Sequence, residues 1–128
     1  MKTLKIVVVA VACVFFAGAA AGAAELVTPA VVAPPNDTIL CMIVNLTNQE
    51  HAYVIEQIDS DGSVGSIDDD HTVLAGGSRS FGVVNNGPGN MQRYCVFTVE
   101  GVAKAKLRGA IFVFNHVTGT TSVGLPAE

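Results

Sequence analysis

The residues best equipped for chemistry in this chain are few and scattered. Cys41 stands in TILCMIVNLT and Cys95 in RYCVFTVEG, each inside an alternating apolar run. Five carboxylates, Asp59, Asp61, Asp68, Asp69 and Asp70, gather in DSDGSVGSIDDDH over residues 59–71. Lys104, Lys106 and Arg108 alternate through KAKLR, while His51, His71 and His116 fall in three separate segments. Each group suggests its own chemistry: thiol reactivity or a disulfide, hard-cation binding, an anion-recognising ridge, and transition-metal ligation.

Compartment bears first on the cysteines. Residues 1–24 carry Lys2 and Lys5, then the apolar IVVVAVACVFFAG, then the small residues AAAGAA. A basic start, a short apolar run and a small-residue exit are the parts of a secretory signal, expected to be cleaved after Ala23 or Ala24. A membrane anchor would need ~20 apolar residues and no such exit. Cys13 in the apolar run offers a lipid-attachment alternative. Against it, Ala10 stands where such sites usually carry Leu, and the run continues as VFFAGAA rather than opening a polar tether. A secreted or periplasmic protein with no membrane span after processing is the expectation.

Removing residues 1–24 leaves five of the seven Lys and Arg and all eleven Asp and Glu, a net charge of −6. That balance argues against nucleic acid and anionic membranes as partners. Only Cys41 and Cys95 then remain, and export exposes thiols to oxidation, so a disulfide between them is expected. It would close a 55-residue loop, from position 41 to 95 inclusive. The chain-entropy model values such a loop at about 4 kcal/mol. Redox use would ordinarily show Cys-x-x-Cys at a helix start, and zinc would need two further ligands at workable spacing. Metal or redox roles and unpaired buried thiols stay as the alternatives.

The elements that must position these residues read as strands. ELVTPAVVAPPN, residues 25–36, holds Pro29, Pro34 and Pro35 and is expected to form a flexible leader, with the domain over 37–128. Strands are predicted over 38–47, 51–59, 79–84, 92–100 and 107–115, with one or two short edge strands near 64–67 and 72–74. TTSVG, residues 120–124, is predicted to close a last hairpin through Thr118–Gly119. In the strand over 92–100, Cys95, Phe97 and Val99 share one face and Tyr94, Val96 and Thr98 the other. Short strands punctuated by Gly, Asn, Asp and Pro point to an all-β fold, a small antiparallel β-sandwich behind an N-terminal signal helix. A small β-barrel uses the same local pattern and is the alternative.

Two resemblances follow from these residues. A Cys in the first full strand and another in a late alternating strand resemble the sheet-to-sheet bridge of immunoglobulin-like domains. There is no Trp to pack on the bridge, and Tyr94 adjoins Cys95 instead of preceding it by two, so the likeness is one of architecture. CMIVNLTNQ, LAGGSRSF, RYCVFTVEG and LRGAIFVFN also resemble segments of small, mostly uncharacterised secreted bacterial β-sandwich proteins. These are strand and turn patterns, so the resemblance implies fold and compartment and no activity.

The remaining motifs have simpler readings beside the chemical ones. The acidic segment departs from the EF-hand pattern, with Gly62 one place early and no Glu at the required distance. A solvated hairpin whose acids guard an edge strand competes with weak calcium binding by Asp59, Asp61, Asp68, Asp69 and Asp70. Lys104, Lys106 and Arg108 would form a basic ridge if residues 103–113 were one extended strand, facing an acidic protein or a polysaccharide. Zinc or copper held by His51, His71 and His116 would need three distant segments to converge. Gly-x-Ser-x-Gly is absent, and GGSRSFG enters a strand, where phosphate binding needs a helix start. Asn36-Asp-Thr38 and Asn45-Leu-Thr47 match the glycosylation sequon and read as chance in a bacterial export context.

The sequence therefore predicts an exported, non-enzymatic module with a binding, structural or accessory role, no cofactor, and a protein or polysaccharide partner. A calcium- or zinc-binding secreted protein is the alternative, and a small hydrolase a more distant one.

Overall fold

Among the described residues, period-two patterning gives nine strands, with one short 3-10 turn between them. The structure, a computed structural model, describes residues 22–115 and 117–128. The central strands show the pattern most cleanly. β3 (Asp37–Asn45) buries Asp37, Ile39, Cys41, Ile43 and Asn45 and leaves the residues between them half-buried. β7 (Met91–Val99) buries Cys95, Phe97 and Val99 on one face, as its alternation predicts. Around them lie β1 (Ala24–Val27), β2 (Val31–Ala33), β4 (His51–Asp59), β5 (Val64–Val73), β6 (Ser78–Val84), β8 (Leu107–Asn115) and β9 (Thr120–Pro126).

These strands form two antiparallel sheets packed as a sandwich. The five-stranded sheet runs β1-β7-β4-β5, with β2 also paired to β7, and the four-stranded sheet runs β6-β3-β8-β9. Ile39, Ile43, Ile55, Phe97, Ile111 and Val113 have no exposed surface and fill the space between the sheets. The flanks are joined lightly. Val27 and Glu128 exchange backbone hydrogen bonds of 2.8 and 3.0 Å on one side. On the other, Arg79 Nε donates to the Thr72 carbonyl across 3.1 Å. Among the described residues the two sheets stay open and no closed barrel forms.

The segment expected to be a flexible leader belongs to the fold. Ala24, Leu26, Val31 and Ala33 are buried, and both short strands pair with β7. The prolines lie outside the paired stretches, so every residue of β1 and β2 keeps its N–H donor. Thr28 carries the pairing past Pro29: its N–H donates to the Cys95 carbonyl, and its hydroxyl accepts from the Cys95 N–H. Pro35 and Asn36 then turn the chain, with Asn36 at φ 73° and the Asp37 N–H donating to the Pro34 carbonyl. That is the arrangement of a type II turn, with Pro and then a residue tolerant of positive φ. The sandwich begins at Ala24, so the boundary expected at residue 37 is corrected. The signal segment through residue 21 and Cys13 lie outside the described residues.

Two further boundaries differ. The edge strands expected near 64–67 and 72–74 are one strand, β5, with a register shift where Asp69 and Asp70 oppose Val54. Residues 104–106 form a 3-10 turn.

Candidate functional site

The cysteines meet as expected. Cys41 on β3 and Cys95 on β7 form a disulfide with Cα atoms 6.0 Å apart, and neither residue is exposed. Because β3 and β7 belong to different sheets, the bridge crosses the core. Consecutive β7 and β8 do not pair; β8 crosses to the other sheet and pairs with β3.

The sheets are also held by a buried amide that sequence reasoning missed. Gln57 follows Tyr53 and Ile55 in the inward row of β4 and has no exposed surface. Its Nε2 donates to the Ile39 carbonyl on β3 at 3.0 Å and to the Phe81 carbonyl on β6 at 3.4 Å. Its Oε1 accepts from Arg93 Nη1 at 3.3 Å. Arg93 continues the inward row of β7, where its Nε donates to Asp59 Oδ1 at 2.7 Å and its Nη1 to the Ser66 hydroxyl at 3.2 Å. A charged group this well covered is tolerable only when its donors are met, and here β4 and β5 meet them. Asp59 is thereby a partner of Arg93.

The other acids separate along the same sheet. Asp61 accepts from the Ser63 hydroxyl and N–H, which hold its exposed carboxyl below the usual range. Asp68 Oδ2 accepts a 2.8 Å hydrogen bond from the Tyr53 hydroxyl, and its Oδ1 lies 3.4 Å from His71 Nε2. Burial first, then the hydrogen bond and charge of Asp68, push the Tyr53 phenol up to about 12. Asp69 and Asp70 sit at the register shift, with Asp70 at φ 63°. Among the described residues no three His, Cys, Asp or Glu side chains are grouped to hold a metal ion. Strand geometry distributes Asp59, Asp61, Asp68, Asp69 and Asp70 over the length of the β4–β5 hairpin. Asp68, Asp69 and Asp70 stand on the edge strand β5, where charge discourages pairing with another chain.

His71 stacks on Tyr53 at 6.3 Å between ring centroids, beside an open cleft of about 490 Å³ lined by Asp69, Asp70, Thr98 and Glu100. His51 Nε2 lies 3.1 Å from the Thr47 hydroxyl. His116 lies outside the described residues. The basic ridge is also corrected: the 3-10 turn over Lys104–Lys106 breaks the alternation that would have aligned Lys104, Lys106 and Arg108. Arg108 folds back, its Nη1 donating to the carbonyls of Ala105 and Leu107.

Buried asparagines order the loops. Asn45, with no exposed surface, donates to the Gln49 carbonyl at 2.7 Å and accepts from the Thr47 N–H and hydroxyl. Asn85 donates to the carbonyls of Ala33 and Gly89. The second sequon is therefore closed to glycosylation in the folded protein, since its Asn45 amide nitrogen is occupied and enclosed.

The two outer faces differ sharply. Residues directly opposite each other on paired strands project from the same face. On the five-stranded sheet the outward rows run Val27, Val96, Glu56, Ile67; then Glu25, Thr98, Val54; then Tyr94, Ile58, Val64; and Val32 beside Gln92, with Val27, Val32, Val64 and Ile67 exposed. On the four-stranded sheet they run Val84, Thr38, Phe114, Thr121; then Gly82, Leu40, Phe112, Gly124; then Ser80, Met42, Ala110, Pro126; then Ser78, Val44, Arg108. Arg108 is the single charged residue among the latter.

Fold and bridge together define a small antiparallel β-sandwich with an inter-sheet disulfide. No protein-family model matches the chain, and no curated protein is significantly similar to it. The crystal structure of Thermotoga maritima 1070 is similar in fold, with a TM-score of 0.50 at 12% identity over 84% of this chain and 94% of that one. FLGD from P. aeruginosa gives a TM-score of 0.34 at 16% identity over 84% of this chain and 74% of that one. No helix among the described residues is long and apolar enough to cross a membrane.

Proposed function

We propose that this protein is an exported, non-enzymatic β-sandwich module, of the kind its sequence resembles in secreted bacterial proteins, that works by surface recognition outside the cytoplasm. The observation that carries the reading is the fully buried Cys41–Cys95 bridge between the sheets. Such bridges form and persist in oxidising compartments, and the signal-like residues 1–24 supply a route there. The groups suited to acid–base or ionic chemistry serve the scaffold: Asp68 accepts from Tyr53, and Arg93 ties Asp59, Gln57 and Ser66 together. A rigid scaffold then presents its loops and outer sheet faces to a partner.

Fractionation of cells expressing the full chain tests this. The expected result is a processed protein beginning at Ala24 or Glu25, recovered outside the cytoplasm. Full-length chain retained in the cytoplasm would overturn the reading.

A further inference from the structure

We infer that the outer face of the four-stranded sheet is a self-association surface, through which two copies of this chain pack face to face. The inference rests on the reading above of a module that acts through its surface, and it names the partner as a second copy. Three observations carry it.

The first is what the face is made of. Thr38, Leu40, Met42 and Val44 project from β3, Ala110, Phe112 and Phe114 from β8, and Val84 from β6. An antiparallel sheet with one solvated face ordinarily alternates apolar inside with polar outside. Here the outward positions at the sheet centre are apolar as well. The face is also smooth. A Cβ at Gly124 would stand 3.0 Å from Phe112 Cδ1, and one at Gly82 would stand 3.2 Å from Leu40 Cδ1. The two glycines let Phe112 and Leu40 lie down over the neighbouring strands, leaving a low surface instead of upright knobs.

The second is where the charge lies. Nine of the eleven acids (Glu25, Glu50, Glu56, Asp59, Asp61, Asp68, Asp69, Asp70 and Glu100) belong to the strands of the five-stranded sheet or the turns beside them. Of the other two, Asp37 points into the sandwich, and the exposed Glu128 lies two residues past the outward Pro126, at the Arg108 end of the face. Two copies of so acidic a chain repel unless they meet on surfaces poor in acids, and the central rows of this face hold none. With sheets stacked ~10 Å apart, face-to-face packing puts the two acidic sheets ~30 Å from each other. That separation is several times the ~8 Å Debye length at physiological salt, so their repulsion is screened. The one cation, Arg108, lies at the end of the face with its guanidinium turned onto its own backbone. Pairing therefore buries no bare charge at its centre.

The third is size. Four strands at ~4.8 Å spacing and about eight residues at ~3.4 Å give a footprint of roughly 500 Å² per copy. Two such footprints reach the ~1,000 Å² that a specific interface requires. Sheet packing on sheet reproduces the geometry already used inside each protomer.

Sedimentation equilibrium on the exported full-chain product at micromolar concentration tests the inference. The expected mass is twice that of one chain. Leu40→Lys and Phe112→Lys are expected to shift the protein to monomer, while Ile67→Lys on the other sheet leaves the dimer intact. Retained far-UV circular dichroism and a closed disulfide establish that the variants fold. Should the lysine variants fail to fold, Met42→Ser decides: at least a tenfold weaker association supports the face, and unchanged association overturns it. A monomeric wild-type protein would overturn the inference, as would a dimer that survives both folded lysine variants. A monomer recovered outside the cytoplasm would leave the exported-module reading standing. Cytoplasmic full-length chain would sink that reading whatever the mass.

Discussion

The outer faces of the two sheets are built by the same alternation and carry different contents. On the five-stranded sheet Glu25 and Glu56 interrupt the valines and Ile67, and its edge strand bears Asp68, Asp69 and Asp70. On the four-stranded sheet the corresponding positions hold Leu40, Met42, Phe112 and Phe114, with no acid among them. Both sheets contribute buried side chains to the core, Ile39, Cys41, Ile43, Ile111 and Val113 from one and Tyr53, Ile55, Cys95, Phe97 and Val99 from the other. Leu40, Met42, Phe112 and Phe114 are half-buried against one another and leave the rest of their apolar surface open to association. The placement of this face opposite the acidic sheet identifies one side of the molecule as solvated and the other as available for contact.

The link between the two sides can be cut. Replacing both cysteines by Ala is expected to lower unfolding stability by about 2–5 kcal/mol, measured by urea denaturation against the reduced wild type as control. The next largest effect is expected at Gln57. Gln57→Ala removes a donor from the Ile39 carbonyl and an acceptor from Arg93 inside the core, and should cost about 2–3 kcal/mol. Ser80→Ala, outward on the four-stranded sheet, should stay within about 0.5 kcal/mol by the same measurement.

An effect confined to alkaline pH belongs to the acidic side alone. The Tyr53 phenol stands at about 12 in the folded protein, above its ordinary value of 10.0. Between those values the folded state holds a proton that the unfolded chain has released, so stability is full below pH 10 and falls as pH rises toward 12. Tyr53→Phe should flatten that fall in chemical denaturation while leaving the dimer mass unchanged. Smallest of all, saturating calcium or zinc should leave the thermal midpoint unmoved. A rise reversed by chelator would return the dispersed carboxylates to consideration as a metal site.

Much of this architecture was legible. β3, β4, β6, β7, β8 and β9 announce themselves by period-two patterning between Asn, Gly and Asp turns, and Gly62 and Gly119 take the positive φ their turns need. The inward parity of Cys95 with Phe97 and Val99 read correctly. β1 and β2 were hidden because three prolines mask a buried series of Ala24, Leu26, Val31 and Ala33. The basic ridge failed because local 3-10 hydrogen bonding overrode the alternation of KAKLR. Gln57 and Arg93 were passed over as polar residues. Parity with Ile55 and with Cys95 was the available signal, since it places both in the inward rows. The apolar outer face needed pairing register, because only the strand order brings Leu40 beside Phe112.

The bridge that fixes one face behind the other is tested most directly by intact mass after alkylation of the exported protein under non-reducing, denaturing conditions. The predicted result is no alkyl group added, and two added once reductant is present. Two alkylated thiols without reductant would contradict the disulfide, and with it the compartment and rigid scaffold that the proposed function requires.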